Sequence, residues 1–381
     1  MSYRSPWMTD DLDQLRDLTR RFLAKELEPH QQRFARQHAV DRDFWRAAGD
    51  VGLLCLSCPE QYGGSGGTFA HEAVVIEEQA RIADDCWSFN VHSTIVAHYL
   101  NAYATDEQKR RWLPGMARGE LVGAIAMTEP GTGSDLQNIR TSAVRNGDSY
   151  VINGAKTFIT NGTHCDLLII VARTSAQRHG KGLSLIVADT RDLPGFHRGR
   201  ILDKIGQHGQ DTRELSFTDV RIPAANLLGT QEGTGFAQLM TQLPQERLTI
   251  AVSAVATAEH AVDLAVDYAK TRTAFGQRLL DFQNTRFVLA ECRTEALALR
   301  TFIDYCLARH LDGALDAATA SMAKYLATDA QNSIIDRCLQ VFGGYGYTTE
   351  YPIARMYAAA RVQKIYGGTN EIMKEVIARS L

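Results

Sequence analysis

The chain has almost no charge imbalance: 41 Lys and Arg stand against 44 Asp and Glu in 381 residues, a net of -3. A nucleic-acid surface normally carries a basic excess, so that class of function is excluded. Long apolar runs are missing too, and none approaches the length that spans a bilayer. The opening Met1–Asp11 has no apolar h-region, reaches acidic residues at once, and lacks the Arg-rich, acid-poor texture of a transit peptide. Cysteines number seven, an odd count, and the C-x-x-C at Cys55 and Cys58 has no second pair at zinc spacing. They are expected to be buried small hydrophobes in a reducing, cytoplasmic compartment. Eleven histidines include no H-x-x-x-H, so no metal site is expected, and His92 on an apolar helix reads as a core histidine. Glu77 and Glu78 diverge on a helix and read as a solvated face. What remains is ordinary globular composition, 45% hydrophobic and 22% charged, long enough for one to three domains.

Three textures follow one another. Residues 1–120 read as helices: one from Thr9 or Asp10 with an apolar stripe Leu12, Leu15, Leu18, Phe22, then Asp43–Val51, His71–Ile82, Val91–Tyr103 and a capped segment from Thr105 ending at Pro114-Gly115. All four tryptophans lie in this part, which predicts a self-contained packing unit. Over 121–230 the text turns to short strands with Asn-Gly at 146, 153 and 161, a hairpin signal that predicts a compact antiparallel β domain. Over 231–381 long helices of low charge return, with Leu248, Ala251, Val255, Ala258 and Val262 on one face, as in a bundle. The fold class is α+β, ordered α, then β, then α.

The stretch Gly123–Asp135, GAIAMTEPGTGSD, is a buried strand that stops in a loop of hydroxyls and backbone donors. Such a loop bonds the polar edge of a heterocycle, or a phosphate, without a charged side chain. It lacks both the G-x-G-x-x-G and the G-x-x-x-x-G-K spacing. Later segments give it context: KTFITNG (156–162), QERL (245–248), RTAFGQ (272–277), QVFGGYGYTTEYPIAR (340–355) and IYGGTNEIM (365–373). Together, and in this order, they resemble the acyl-CoA dehydrogenase family over nearly the whole length, closest to its long-chain branch with isovaleryl-type enzymes as neighbours.

The resemblance implies a helical N-terminal domain, a central β domain, a C-terminal helical bundle, a homotetramer, and FAD held between the last two. Met127, Thr128 and Ser134 would hold the flavin, Ser134 also touching CoA, and Phe158 would flank it with Ile159 and Thr160. Arg272, Phe275, Gln283, Gln340, Gly343 and Gly344 would meet pyrophosphate and adenosine, partly across a subunit boundary, since a guanidinium forks onto phosphate oxygens. Thr369 and Glu371 would lie near the cofactor.

Dehydrogenating a thioester needs a base for the α proton, donors for the carbonyl oxygen and a hydride acceptor. A carboxylate suits the first role when a dry pocket raises its pKa. Many family members carry that Glu just before the Gly-Thr of the last loop; here the position is Gly367, which cannot be a base. Long-chain and isovaleryl-type relatives carry it in a Glu-Arg pair on a bundle helix, which here is Glu246-Arg247. Pro244 is expected to open or kink that helix, placing Glu246 in its first turn. The N–H of Gly367, with Gly368 beside it, would bond the thioester carbonyl, and Arg247 would support CoA or the helix. The expected reaction is acyl-CoA to trans-2-enoyl-CoA, with electrons passed to an electron-transfer flavoprotein. A small residue at 367 leaves room for branched or long chains, in a pocket bounded by 87–96 and 236–243 and widened at Ala237. The alternatives are an acyl-CoA oxidase-like flavoenzyme and a catalytically silent binding homologue.

Overall fold

The computed structural model describes residues 3–177 and 180–381. Six helices come first: α1 (Asp10–Glu26), α2 (Gln31–Gln37), α3 (Arg42–Asp50), α4 (Phe69–Arg81), α5 (His98–Tyr103) and α6 (Asp106–Ala117). A π-helical stretch, Asn90–Ala97, leads directly into α5. Capping sets the start of α6, where Thr105 accepts from the Gln108 N–H while the Gln108 side chain accepts from the Thr105 N–H. Pro114 does not end this helix but sits inside it.

The middle of the chain forms a seven-stranded sheet of β1 (Val122–Ala126), β2 (Ser142–Asn146), β3 (Ser149–Thr160), β4 (Cys165–Arg173), β5 (Leu183–Asp189), β6 (Phe196–Ile201) and β7 (Thr212–Pro223). Its order is β1-β4-β2-β3-β7-β6, with β5 on β4. The sheet is mixed rather than wholly antiparallel, because β1 runs parallel to β4. Only Asn146-Gly147 forms a hairpin turn, joining β2 to β3 with Gly147 at φ +64°. Asn153-Gly154 lies within β3 where its register to β7 slips, and Asn161-Gly162 follows the strand with Asn161 at φ +63°. Asn-Gly marks a backbone irregularity at all three places; strand pairing decides which kind.

The bundle consists of α7 (Gly235–Thr271), α8 (Gln283–Leu311), α9 (Ala317–Val341), α10 (Pro352–Ala360) and α11 (Asn370–Ala378). Helix α7 runs 37 residues straight through Pro244, so Glu246 stands well inside it and not in a first turn. It is long and apolar enough to cross a bilayer, a length the run-by-run reading missed, yet it is mostly buried inside the protein as a core helix.

The N-terminal helices do not pack as a unit of their own. One apolar cluster joins Trp45, Trp87 and Trp112 to Leu167, Ile169 and Val171 of β4, to Leu248 and Val255 of α7, and to Ile303 of α8. All seven cysteines are free and buried.

Glu77 and Glu78, expected on a solvated face, are buried. Arg300 of α8 explains the first of them: its guanidinium donates to Glu77 at 2.6 Å and, through two nitrogens, to Glu259 of α7 at 2.9 and 2.6 Å. Asp304, one turn further along α8, accepts from the indole of Trp7 and the hydroxyl of Tyr3, both at 2.8 Å. Glu78 is met by Arg16, Arg20 and Arg81. Removing one partner from such a buried pair strands the other charge, at a cost of about 3–5 kcal/mol. We therefore expect Arg300→Met to lower unfolding stability by about that much. Chemical denaturation should show the double variant Glu77→Gln/Arg300→Met recovering part of the loss.

Candidate active site

The inner face of α7 carries Glu246 into a dry seam against the π-helical stretch and α5. Tyr99 of α5 donates to its Oε1 at 2.8 Å, and its second oxygen has no protein partner among the described residues. Burial pushes its pKa up to about 7, against the opposing pull of the Tyr99 hydrogen bond and the positive Arg247. The neighbouring backbone is held in place: Gln245 donates to the Thr94 carbonyl at 2.7 Å and meets His310 of α8 at 2.9 Å. Arg247 is buried in the seam between α7 and α9, donating to Ser321 at 3.1 Å. That contact ties α7 to α9 beside Glu246.

Gly367 sits at φ +65°, and a Cβ there would lie 2.4 Å from Cδ1 of Ile250. Ile250 is four residues after Glu246 and so shares its helix face. The loop 366–369 therefore covers the same stripe of α7 that bears the carboxylate. A side chain at position 367 would run into Ile250, so glycine suits this place, and Ala237 is exposed. Gly368 follows at φ +91°, and its carbonyl accepts from Lys324 of α9 at 2.7 Å. The same ammonium donates to Asn370 at 2.9 Å, while Thr369 caps α11 by accepting from the Ile372 N–H. Lys324 is fully buried, and burial, then repulsion from Arg247, brings its pKa down to about 8. Glu371 is exposed in the first turn of α11, where its carboxylate is held below its usual range by backbone and Thr369 hydrogen bonds.

A second group forms on the β sheet. The Thr128 carbonyl accepts from the Thr157 N–H at 2.9 Å, and Lys156, buried in β3, donates to the Met127 carbonyl and to Glu129, each at 2.9 Å. Glu129 in turn accepts from the Arg140 and Thr141 N–H groups. The Met127–Ser134 loop is thus strapped to β3, with Met127 and Thr128 half-buried and Ser134 exposed. Phe158 stands at φ +60° and is 66% exposed, a strained backbone for an aromatic and an outward ring. Ile159 buries its side chain in the sheet core, leaving only its backbone for a ligand, and Thr160 is half-buried.

A third group lies on the bundle surface. Arg272, Gly343 and Gly344 line an open pocket of about 460 Å³ with Tyr268 and Tyr345, the guanidinium 5.9 Å from the Tyr345 ring centre. Phe275, Gln283 and Gln340 are exposed outside that lining. Within one chain the expected residues thus form three groups. Their chemistry fits a flat cofactor joined to phosphates. Cβ atoms placed on Gly131, Gly133, Gly343 and Gly344 meet nothing within 4 Å, so these backbones border open space a ligand can enter. The Arg272 pocket offers a cation beside aromatic faces.

Sequence reasoning missed Tyr99, Lys156 and Lys324. Tyr99 reaches Glu246 across 147 residues, which no local spacing encodes. Lys156 had a signal, a lysine in a strand position of KTFITNG, as did Lys324 among small apolar residues of α9.

Comparison with known proteins identifies the family and the fold. Family models described as the N-terminal, middle and C-terminal domains of acyl-CoA dehydrogenase match residues 9–120, 124–220 and 233–381. The long-chain specific acyl-CoA dehydrogenase of Sus scrofa mitochondria is 46% identical over 371 residues, covering 97% of this chain and 86% of its own. The isovaleryl-CoA dehydrogenase of Pongo abelii mitochondria is 34% identical, covering 98% of this chain and 89% of its own. The crystal structure of an acyl-CoA dehydrogenase from Geobacillus kaustophilus superposes with a TM-score of 0.96 at 44% identity, over 99% of each chain. The chain belongs to the acyl-CoA dehydrogenase family, flavoprotein oxidoreductases acting on CH–CH groups.

Proposed function

We propose that this protein dehydrogenates the α,β bond of an acyl-CoA thioester to the trans-2-enoyl-CoA, with Glu246 as the base. The observation that carries the reading is the buried Glu246 carboxyl, with a pKa near 7, on the α7 stripe that Gly367 covers. A base is most effective when its pKa lies near the working pH, and desolvation provides that here. The free oxygen of Glu246 takes the α proton, while Tyr99 fixes the other oxygen and hence the carboxylate plane. The Gly367 N–H bonds the thioester oxygen and stabilises the charge that grows there, usually a large catalytic term. Lys324 fixes the Gly368 carbonyl and so the peptide planes of that loop.

FAD, when bound, supplies the acceptor for the β hydride. The strapped Met127–Ser134 loop and the Phe158–Thr160 segment would hold its flavin, and the Arg272 pocket with Gly343 and Gly344 its phosphates and adenosine. Phe275 and Tyr347, 97% and 92% exposed, fit a subunit contact in a homotetramer. An electron-transfer flavoprotein is the proposed acceptor. Long-chain or branched acyl groups are the proposed substrates, by likeness to the two curated relatives.

Glu246→Gln is expected to keep its yellow cofactor and lose about 10²–10⁴-fold in anaerobic flavin bleaching by its best acyl-CoA. Bleaching at the parental rate would remove Glu246 as the base. The variant should not be less stable. Folding raises this carboxyl above its ordinary 4.5, so its ionisation opposes folding increasingly from there to about pH 7, and the amide removes that penalty.

The pH dependence has a definite sign. The bleaching rate should rise about tenfold per pH unit below about 7 and level off above it, as the carboxylate form fills. Tyr99→Phe removes a hydrogen bond that favours the carboxylate, so its profile should break at higher pH than the parent's.

A further inference from the structure

Beyond Tyr366, the residue before Gly367, a cavity of about 60 Å³ opens between α4, α7, α9 and α10. Its wall is unusually rich in unpaired polar atoms. Among the described residues, thirteen buried side-chain polar atoms lack any hydrogen-bond partner, and five of them belong to residues lining this one cavity. They are Nε1 of Trp87, both amide atoms of Gln331, Nε of Arg355 and Oε1 of Gln363. Gln331 is fully buried and Gln363 is 6% exposed. Each such atom left unpaired costs about 1–3 kcal/mol, so the site is built for a polar occupant.

The cavity also has a definite relation to the base. Ser253, which lines it, is seven residues after Glu246 on α7, about 10 Å along the helix axis, and Thr257, further along the same wall, is about 16 Å away. An extended chain advances about 1.2 Å per bond, so an acyl group with its α carbon at Glu246 reaches this cavity after about nine to fourteen bonds.

Resting on the dehydrogenase reading above, we propose that this cavity is a distal subsite for a neutral, hydroxyl-bearing end of the acyl chain. The unpartnered set mixes donors (Trp87, Arg355, the Gln331 amide nitrogen) with acceptors (the Gln331 and Gln363 oxygens). A methyl terminus leaves all five unpaired. A carboxylate presents acceptors only and would face those two oxygens unpaired. A hydroxyl both gives and accepts, with space left for a water or two beside it. The terminal nitrogens of Arg355 already donate to the Gln31 side chain and the Thr349 carbonyl, and Asp84 accepts from Gln79 and from the Cys86 and Trp87 N–H groups.

The test compares matched pairs of acyl-CoAs, methyl-terminated and ω-hydroxylated, from eight to sixteen carbons, by kcat/KM with the flavin-loaded protein. The ω-hydroxy member is expected to win by about tenfold or more at one length in the middle of the series. Gln331→Leu should reverse that preference, and Gln363→Met should do so if the first variant folds poorly. Equal or better use of methyl-terminated chains at every length, with the ratio unmoved by either substitution, would make the cavity a water pocket and overturn the proposal. Dehydrogenation of neither series would instead overturn the dehydrogenase reading itself.

Discussion

Taking one carboxylate out of water is the constraint around which the molecule is arranged. In the proposed reaction Glu246 serves as the base because its surroundings are dry, and they stay dry only while that face of α7 is packed. That explains why a helix of 37 residues passes uninterrupted through the protein, why Pro244 is tolerated inside it, and why the N-terminal helices share its core. A proline in a helix interior removes one hydrogen bond and crowds the preceding turn, which weighs against continuity. Here Gln242, Gln245 and Thr249 on either side tie the helix to Tyr103 and Thr94 by their side chains. Tertiary hydrogen bonds hold the helix where the local sequence would bend it.

Two buried lysines play matching parts at the two edges of the site. Lys156 donates to the Met127 carbonyl in the β sheet, and Lys324 to the Gly368 carbonyl in the bundle. Burial pushes each pKa down to about 8. They differ in how their charge is met. Lys156 has a carboxylate partner in Glu129, while Lys324, among the described residues, is bonded to neutral oxygens and sits near the positive Arg247. A strongly hydrated point charge on a flexible stem is costly to bury, and the return in both cases is a fixed peptide plane in a loop that would otherwise be free to turn.

The fold was largely legible in the sequence because its periodicities are long. The bundle helices, the change of texture near Leu121 and the loop at Thr128–Asp135 all follow from patterns within a few tens of residues. The candidate site residues Glu246, Gly367 and Arg272 were picked out by motif, each lying in a distinctive short segment. What escaped were pairings set by tertiary contact. Glu77 reads as a surface acid because its partner Arg300 lies 223 residues away, and Tyr99 meets Glu246 only when α7 lies beside α5. The run-length reading of α7 failed for a related reason: scattered polar residues such as Gln245 and Arg247 break the apolar run, yet in three dimensions they are buried too.

The ionic clasp and the Glu246 carboxylate are linked through that same helix. Glu259, which Arg300 holds, lies thirteen residues beyond Glu246 on α7, while Glu77 of α4 meets the same guanidinium. The clasp therefore fixes the position of α4 against α7, and α4 also supplies part of the wall of the polar cavity beyond Tyr366. A charged network replaces apolar packing at this junction although well-packed hydrophobes would often be as stable. A guanidinium bonded to two carboxylates on different helices restricts how α4 can slide or rotate along α7, whereas apolar side chains tolerate small shifts. Since both the dryness of Glu246 and the register of the distal polar groups depend on where these helices lie along each other, the geometry of the clasp is the term that holds them in step.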